Sequence, residues 1–137
     1  MTTPVGLAAE DAAVYGYGLV LARADDSIRA AVRRELAAHR ARRDAAEKLW
    51  PGAPPAPVGY LTGPETPDAP VLLAIRIESD CCEAWRIELG RAESPEIRRF
   101  CIDALTAAAV QLARWRTIVP GTPFEPLPGF PPPSSGG

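Results

Sequence analysis

The sequence predicts an all-α protein, a four-helix bundle in which two helical hairpins are joined by one long crossover. Three observations predict it. Apolar residues recur at steps of three and four over four segments, about 7–23, 27–49, 68–91 and 95–119. The breaks within each pair of segments are only a few residues long, which makes the paired helices antiparallel neighbours. Between the pairs lie residues 51–67, with six prolines and three glycines, and no helix can run through them.

Each helix has a seam and a boundary. The first carries Leu7, Glu10, Val14, Tyr17 and Leu21 on one face. Gly16 and Gly18 would each cost about 1 kcal/mol relative to alanine in a helix interior, so a close helix–helix approach is expected there. Asp25, Asp26 and Ser27 form a cap-like cluster before the second helix. That helix has the seam Ile28, Val32, Glu35 or Leu36, His39, Ala46 and Leu49, and its other face carries Arg29, Arg33, Arg34, Arg40 and Arg43. Trp50-Pro51-Gly52 ends it. In the crossover, Val58 with Tyr60, or else Leu61, is expected to pack on the bundle. The third helix has the seam Val71, Ile75, Glu78, Cys82, Trp85 and Leu89. Ser94-Pro95-Glu96 reads as an N-cap, a first-turn proline and a first-turn acid. The fourth helix then runs on Ile97, Cys101, Leu105, Ala108, Leu112 and Trp115. Residues 1–130 form the domain. Phe124, Leu127 and Phe130 could pin the start of the tail, while residues 131–137, all Pro, Ser and Gly, have nothing to bury and are expected to be disordered.

The crossover decides the topology. The second helix is roughly 35 Å long at ~1.5 Å per residue. A proline-rich segment extends ~3.1 Å per residue, enough to return along the whole bundle. The third helix then starts at the same end as the second, and the order is up-down-down-up, the ferritin-like arrangement. Helices two and three would lie side by side, pointing the same way. A simple up-down-up-down bundle is the alternative, but it would need only a short loop.

Composition excludes several classes. A net charge of −2 gives no electrostatic signature for nucleic acid or an anionic membrane. No stretch of ~20 apolar residues and no basic-then-apolar leader is visible, so the expected location is the cytoplasm, with no membrane partner. Cys81, Cys82 and Cys101 have no metal-type spacing and are expected as reduced core thiols. Trp85 and Trp115 fall on seams and read as core. No glycine-rich phosphate loop or hydrolase motif is present.

Glu10…Tyr15-Gly16-Tyr17-Gly18, His39-Arg40-Ala41-Arg42-Arg43-Asp44, and Trp115-Arg116 followed by Pro123-Phe124 and Pro128-Gly129 resemble an uncharacterised bacterial family of ferritin-like domains of unknown function. The resemblance spans nearly the whole chain. It implies the ferritin-like fold and no established reaction.

Ferritin-like di-iron proteins place a Glu on each of two helices and a Glu-x-x-His on each of the other two. Here Glu10 should face His39 across the first hairpin, and Glu35 and Glu78 should lie close by. The fourth helix supplies no histidine and no inward acid; Asp103 points off its seam. With His39 the only histidine, a two-metal site within one subunit is excluded. A single iron or manganese ion on Glu10, Glu35, His39 and Glu78 remains open, as does a site shared in a dimer. The preferred reading needs no cofactor. Glu10 and His39 satisfy each other beside Tyr17, Arg40 and Arg43, and the bundle is expected to be a structural or interaction module with a homodimer as its candidate assembly.

Overall fold

The computed structural model of the chain describes residues 2–60, 67 and 69–119. Four helices account for most of them: α1 (Val5–Arg23), α2 (Asp26–Leu49), α3 (Pro70–Arg91) and α4 (Pro95–Ile118). Among the described residues there is no strand. Leu61 and the tail residues Phe124, Leu127, Phe130 and 131–137 lie outside the described residues.

Local chemistry sets the helix ends. Asp25 accepts a hydrogen bond from the Ser27 N–H at 2.9 Å and so caps α2. The Arg29 guanidinium donates to the Ala24 carbonyl at 2.7 Å, which ties the two-residue turn between α1 and α2. Ser94 Oγ accepts from the Ile97 N–H at 3.0 Å, with Pro95 and Glu96 in the first turn of α4. Arg98 donates to the carbonyls of Leu89 and Ala92, each at 3.2 Å, and so satisfies the end of α3.

Contacts along the helices give their directions. From the start of α1 to its middle, Ala9 meets Cys81 and Tyr17 meets Glu78, so α1 and α3 are antiparallel. Glu10 meets His39 and Arg42 on α2, which is antiparallel by its short turn. Thus α2 and α3 point the same way. Phe100 packs on Trp85 and Trp115 meets Tyr17, so α4 runs with α1. The bundle is up-down-down-up, the connectivity of ferritin-like bundles. One expectation changes: α2 and α3 are parallel but not side by side. The backbones pack closely as α2 on α1, α1 on α3 and α3 on α4, while α2 and α3 meet through side chains that cross the interior.

Two described residues of the crossover, Trp50 and Tyr60, contact the bundle. Trp50, just past α2, packs on Trp85 with ring centroids 6.4 Å apart. Trp85 lies fifteen residues into α3, ~22 Å from where that helix begins. On the way, Tyr60 packs on Tyr15 of α1 with centroids 5.2 Å apart. Val58 is fully exposed, contrary to the expectation that it packs.

Close approach explains two helical glycines and not a third. A Cβ on Gly6 would overlap the Trp85 ring, and one on Gly16 would come within 2.6 Å of Ile77 Cδ1. Gly18 faces open space, so the packing explanation fails there. Among the described helices only α1 is long and apolar enough, by length and composition, to cross a membrane. Its apolarity has a packing cause, because both α2 and α3 cover it and it carries the buried acids Glu10 and Asp11.

Candidate functional site

The middle of the bundle is built from polar side chains that three helices bury almost completely. Glu10 on α1, His39 on α2 and Glu78 on α3 are each no more than 1% exposed. Burying unpaired ionised groups costs several kcal/mol each, so their partners decide whether the arrangement is tenable.

Every strong donor and acceptor finds one. His39 Nδ1 lies 2.6 Å from Glu10 Oε2, and its Nε2 lies 2.8 Å from Glu78 Oε1. Both ring nitrogens therefore face carboxylates, which is the pattern of an imidazolium. Tyr17 Oη donates to the same Glu78 oxygen at 2.6 Å and accepts from the Trp115 indole N–H at 2.9 Å. The Trp85 indole N–H donates to Glu10 Oε1 at 2.8 Å, and Arg42 reaches that oxygen at 3.3 Å. The Tyr17 ring stacks on the imidazole, centroids 5.1 Å apart and 27° between planes. Glu10 and Glu78 are thus balanced by His39 and Arg42, and the cluster is neutral within itself.

The titrations follow from this packing. Burial alone would lower the His39 pKa, but hydrogen bonds and charge from Glu10 and Glu78 outweigh it and raise the imidazole to about 9. Burial would raise the Glu10 carboxyl, yet His39, Arg42 and Trp85 bring it below the ordinary value. Burial pushes the Tyr17 phenol upward, and the neighbouring Glu78 adds to that, so it remains a donor.

The sequence-predicted residues come together. Glu35 lies half-buried at the edge of the cluster, and ligand atoms of Glu35, His39 and Glu78 all lie within 4.8 Å of one another. Burial, then the charge of Glu78, raises the Glu35 carboxyl. With its amide turned to suit both neighbours, Gln111 of α4 donates to Glu35 Oε1 at 3.1 Å. A second set, Glu10, His39 and Cys81, is equally compact. The Cys81 thiol is pushed well up by burial, then by Glu10 and Glu78, so it stays protonated. All three cysteines are buried, and none forms a disulfide.

Several participants escaped the sequence reading. Arg42, not Arg40 or Arg43, reaches Glu10; Arg40 is exposed and Arg43 pairs with Asp44 at 3.1 Å. Arg42 lies three residues from His39 and therefore on the same helix face, a signal available in the sequence. Gln111 interrupts a seam expected to be apolar throughout. Trp85 and Trp115 are core residues whose indole N–H groups also bind the cluster.

A dinuclear metal centre of the ferritin-like kind does not fit these residues. Among the described residues α4 brings Gln111 and Trp115 to the cluster, with no acid and no imidazole. The chain's one histidine already spends both nitrogens on carboxylates.

Known proteins agree with the fold and assign no activity. Residues 3–132 match a family described as a domain of unknown function, DUF4439. The chain belongs to this family. A crystal structure of a conserved hypothetical protein, Rv2844, from Mycobacterium tuberculosis is similar at 35% identity and a TM-score of 0.77; the match covers 83% of this chain and 91% of that one. No curated protein matches the chain. As a member of DUF4439 it shares an all-α architecture with a bacterial relative, and its buried cluster is the feature that invites a functional account.

Proposed function

We propose that this DUF4439 chain is a non-catalytic structural or interaction module, with a closed ionic cluster where ferritin-like proteins hold metal. The observation that carries the reading is His39, whose two nitrogens lie 2.6 and 2.8 Å from Glu10 and Glu78. A ligating histidine must offer a neutral nitrogen lone pair to the ion. Here both nitrogens face carboxylates, whose hydrogen bonds and charge favour the cation. Such a cluster fixes helix register, because sliding α1, α2 or α3 by one residue would leave charges buried and unpaired. Location in the bacterial cytoplasm and self-association through a helix face accompany this reading.

A second reading is a metal-binding protein, or a metal-dependent oxidoreductase, holding one iron or manganese ion on Glu10, Glu35, His39 and Glu78. The compactness of the Glu35–His39–Glu78 ligand atoms favours it. It requires His39 to lose a proton and one carboxylate partner. Elemental analysis separates the two readings, using protein purified without chelator and again after exposure to Fe(II), Mn(II) and Zn(II). The first reading expects no stoichiometric metal in either sample. Stoichiometric metal that disappears in His39→Ala would overturn it.

A further inference from the structure

Large apolar side chains left open on the helices are not spread evenly. Among the described residues they are Tyr15, Leu72, Ile102, Val110 and Ile118, and three of these five belong to α4. Tyr15 packs on Tyr60, and Ile118 lines the cavity between α2 and α4. Ile102 and Val110, 49% and 45% exposed, stand on the outer face of α4. At ~100° per residue, Ala109, Ala113, Thr106 and Thr117 fall on the same face, which is about 100° wide and ~22 Å long. It holds no charged residue from Ile102 to Thr117. The buried seam of Cys101, Ala104, Ala108, Leu112 and Trp115 lies on the opposite side.

The two hydroxyls on the outer face ask for no outside partner. Thr106 Oγ1 donates to the Ile102 carbonyl and Thr117 Oγ1 to the Arg114 carbonyl, each at 2.7 Å, so both protons are spent on the backbone of α4 itself. A helix that is apolar on two opposite faces is suited to being covered on both.

We propose that two copies of the chain meet on this face, α4 against α4, antiparallel about a two-fold axis beside Ala109 and Val110. The proposal rests on the structural or interaction reading above and names the face that reading uses. Charge selects the occupant. Asp103 and Arg114 are exposed on one flank of the face, three helical turns apart, and among the described residues neither has an ion-pair partner. A two-fold axis lays the same flank of both helices side by side and reverses their direction. Asp103 of each copy then comes within ~3 Å of level with Arg114 of the other, inside the reach of an arginine side chain. The chain thus supplies both halves of two reciprocal ion pairs. Shape agrees, because residues level across the axis pair large with small: Ile102 with Thr117, Thr106 with Ala113, and Val110 with Ala109. The opposed helix dipoles favour the same direction. One pair of helices buries less than the ~800 Å² per partner of a standard interface, so the dissociation constant is on the order of 10 µM or weaker.

Sedimentation equilibrium of the full chain from about 5 to 500 µM tests the proposal. The average mass of wild type should rise from one chain to two. Val110→Glu places a charge in the face and should weaken the dimer at least about tenfold, with helicity unchanged by circular dichroism. Asp103→Arg and Arg114→Asp each set like charges against one another and should each weaken it about tenfold. An equimolar mixture of those two variants should regain the wild-type affinity, because every pair then has opposite signs. A wild-type chain that stays monomeric overturns the face without touching the buried cluster, whose reading is judged by metal content. A dimer indifferent to Val110→Glu or to the single charge reversals, or a mixture no tighter than its components, also overturns it and assigns self-association to another surface.

Discussion

Replacing His39 by glutamine removes the chain's only imidazole and the positive charge between Glu10 and Glu78. In the native protein that imidazole titrates at about 9, against an ordinary 6.5. Because the folded value is the higher, the contribution is complete below pH 6.5 and is lost as pH rises through 9. The difference corresponds to ~3 kcal/mol, of which roughly half has gone by pH 8. The buried thiols Cys81 and Cys101 are also raised, but their contribution begins to fall only near the unfolded thiol value of ~8.5. Asp11, Glu35 and Asp80 are also raised, so the His39 contribution is read as the difference between the wild-type and His39→Gln profiles. Urea denaturation, followed by circular dichroism at half-unit steps from pH 5 to 8, reads the effect. That contribution should fall by about 1.5 kcal/mol between pH 6.5 and 8. His39→Gln should be about 3–5 kcal/mol less stable at pH 7, because two carboxylates are left without their cation. Its deficit should shrink toward pH 5, where one carboxylate can take a proton. A variant that keeps the wild-type slope, or that costs less than about 1 kcal/mol at pH 7, refutes the reasoning.

Other predictions follow from single contacts. Trp85→Phe keeps the ring but removes the donor to Glu10, and should cost about 1.5–3 kcal/mol in the same denaturation assay. Gly6→Ala forces a methyl into the Trp85 ring and should cost about 1–3 kcal/mol, whereas Gly18→Ala meets open space and should stabilise by about 0.5–1 kcal/mol. Thermal melts of the two variants should therefore move in opposite directions. Ser94→Ala removes the α4 cap and should cost about 1 kcal/mol, with amide exchange rising first at residues 96–98.

Much of this architecture was legible because it is written in local pattern. A three- and four-residue recurrence, a short turn after Arg23 and a proline-rich break define four helices and their directions. The facing of Glu10 and His39 follows from counting outward from that turn. Lateral placement is a different kind of information. Parallel direction of α2 and α3 follows from chain reach, but whether they neighbour or lie across the interior depends on which faces bury best. Gly6 and Gly16 let α1 sit tightly on α3, which leaves α2 opposite. The same limit hid the choice among arginines. Arg42 and Arg43 both flank the face of His39, and Asp44 beside Arg43 offers that side chain a nearer partner. Gln111 and the two indole N–H groups went unread because glutamine and tryptophan fit an apolar seam until their partners are placed. Gly16 and Gly18 also look alike in sequence, yet only Gly16 faces a neighbouring helix.

The central claim is that His39 is a cation held between two carboxylates. Nitrogen-15 chemical shifts of its ring, recorded from pH 6 to 10 on metal-free protein, test this directly. Both nitrogens should carry protons at pH 7 and lose one together near pH 9. A neutral tautomer at pH 7, with one nitrogen unprotonated, would contradict the account.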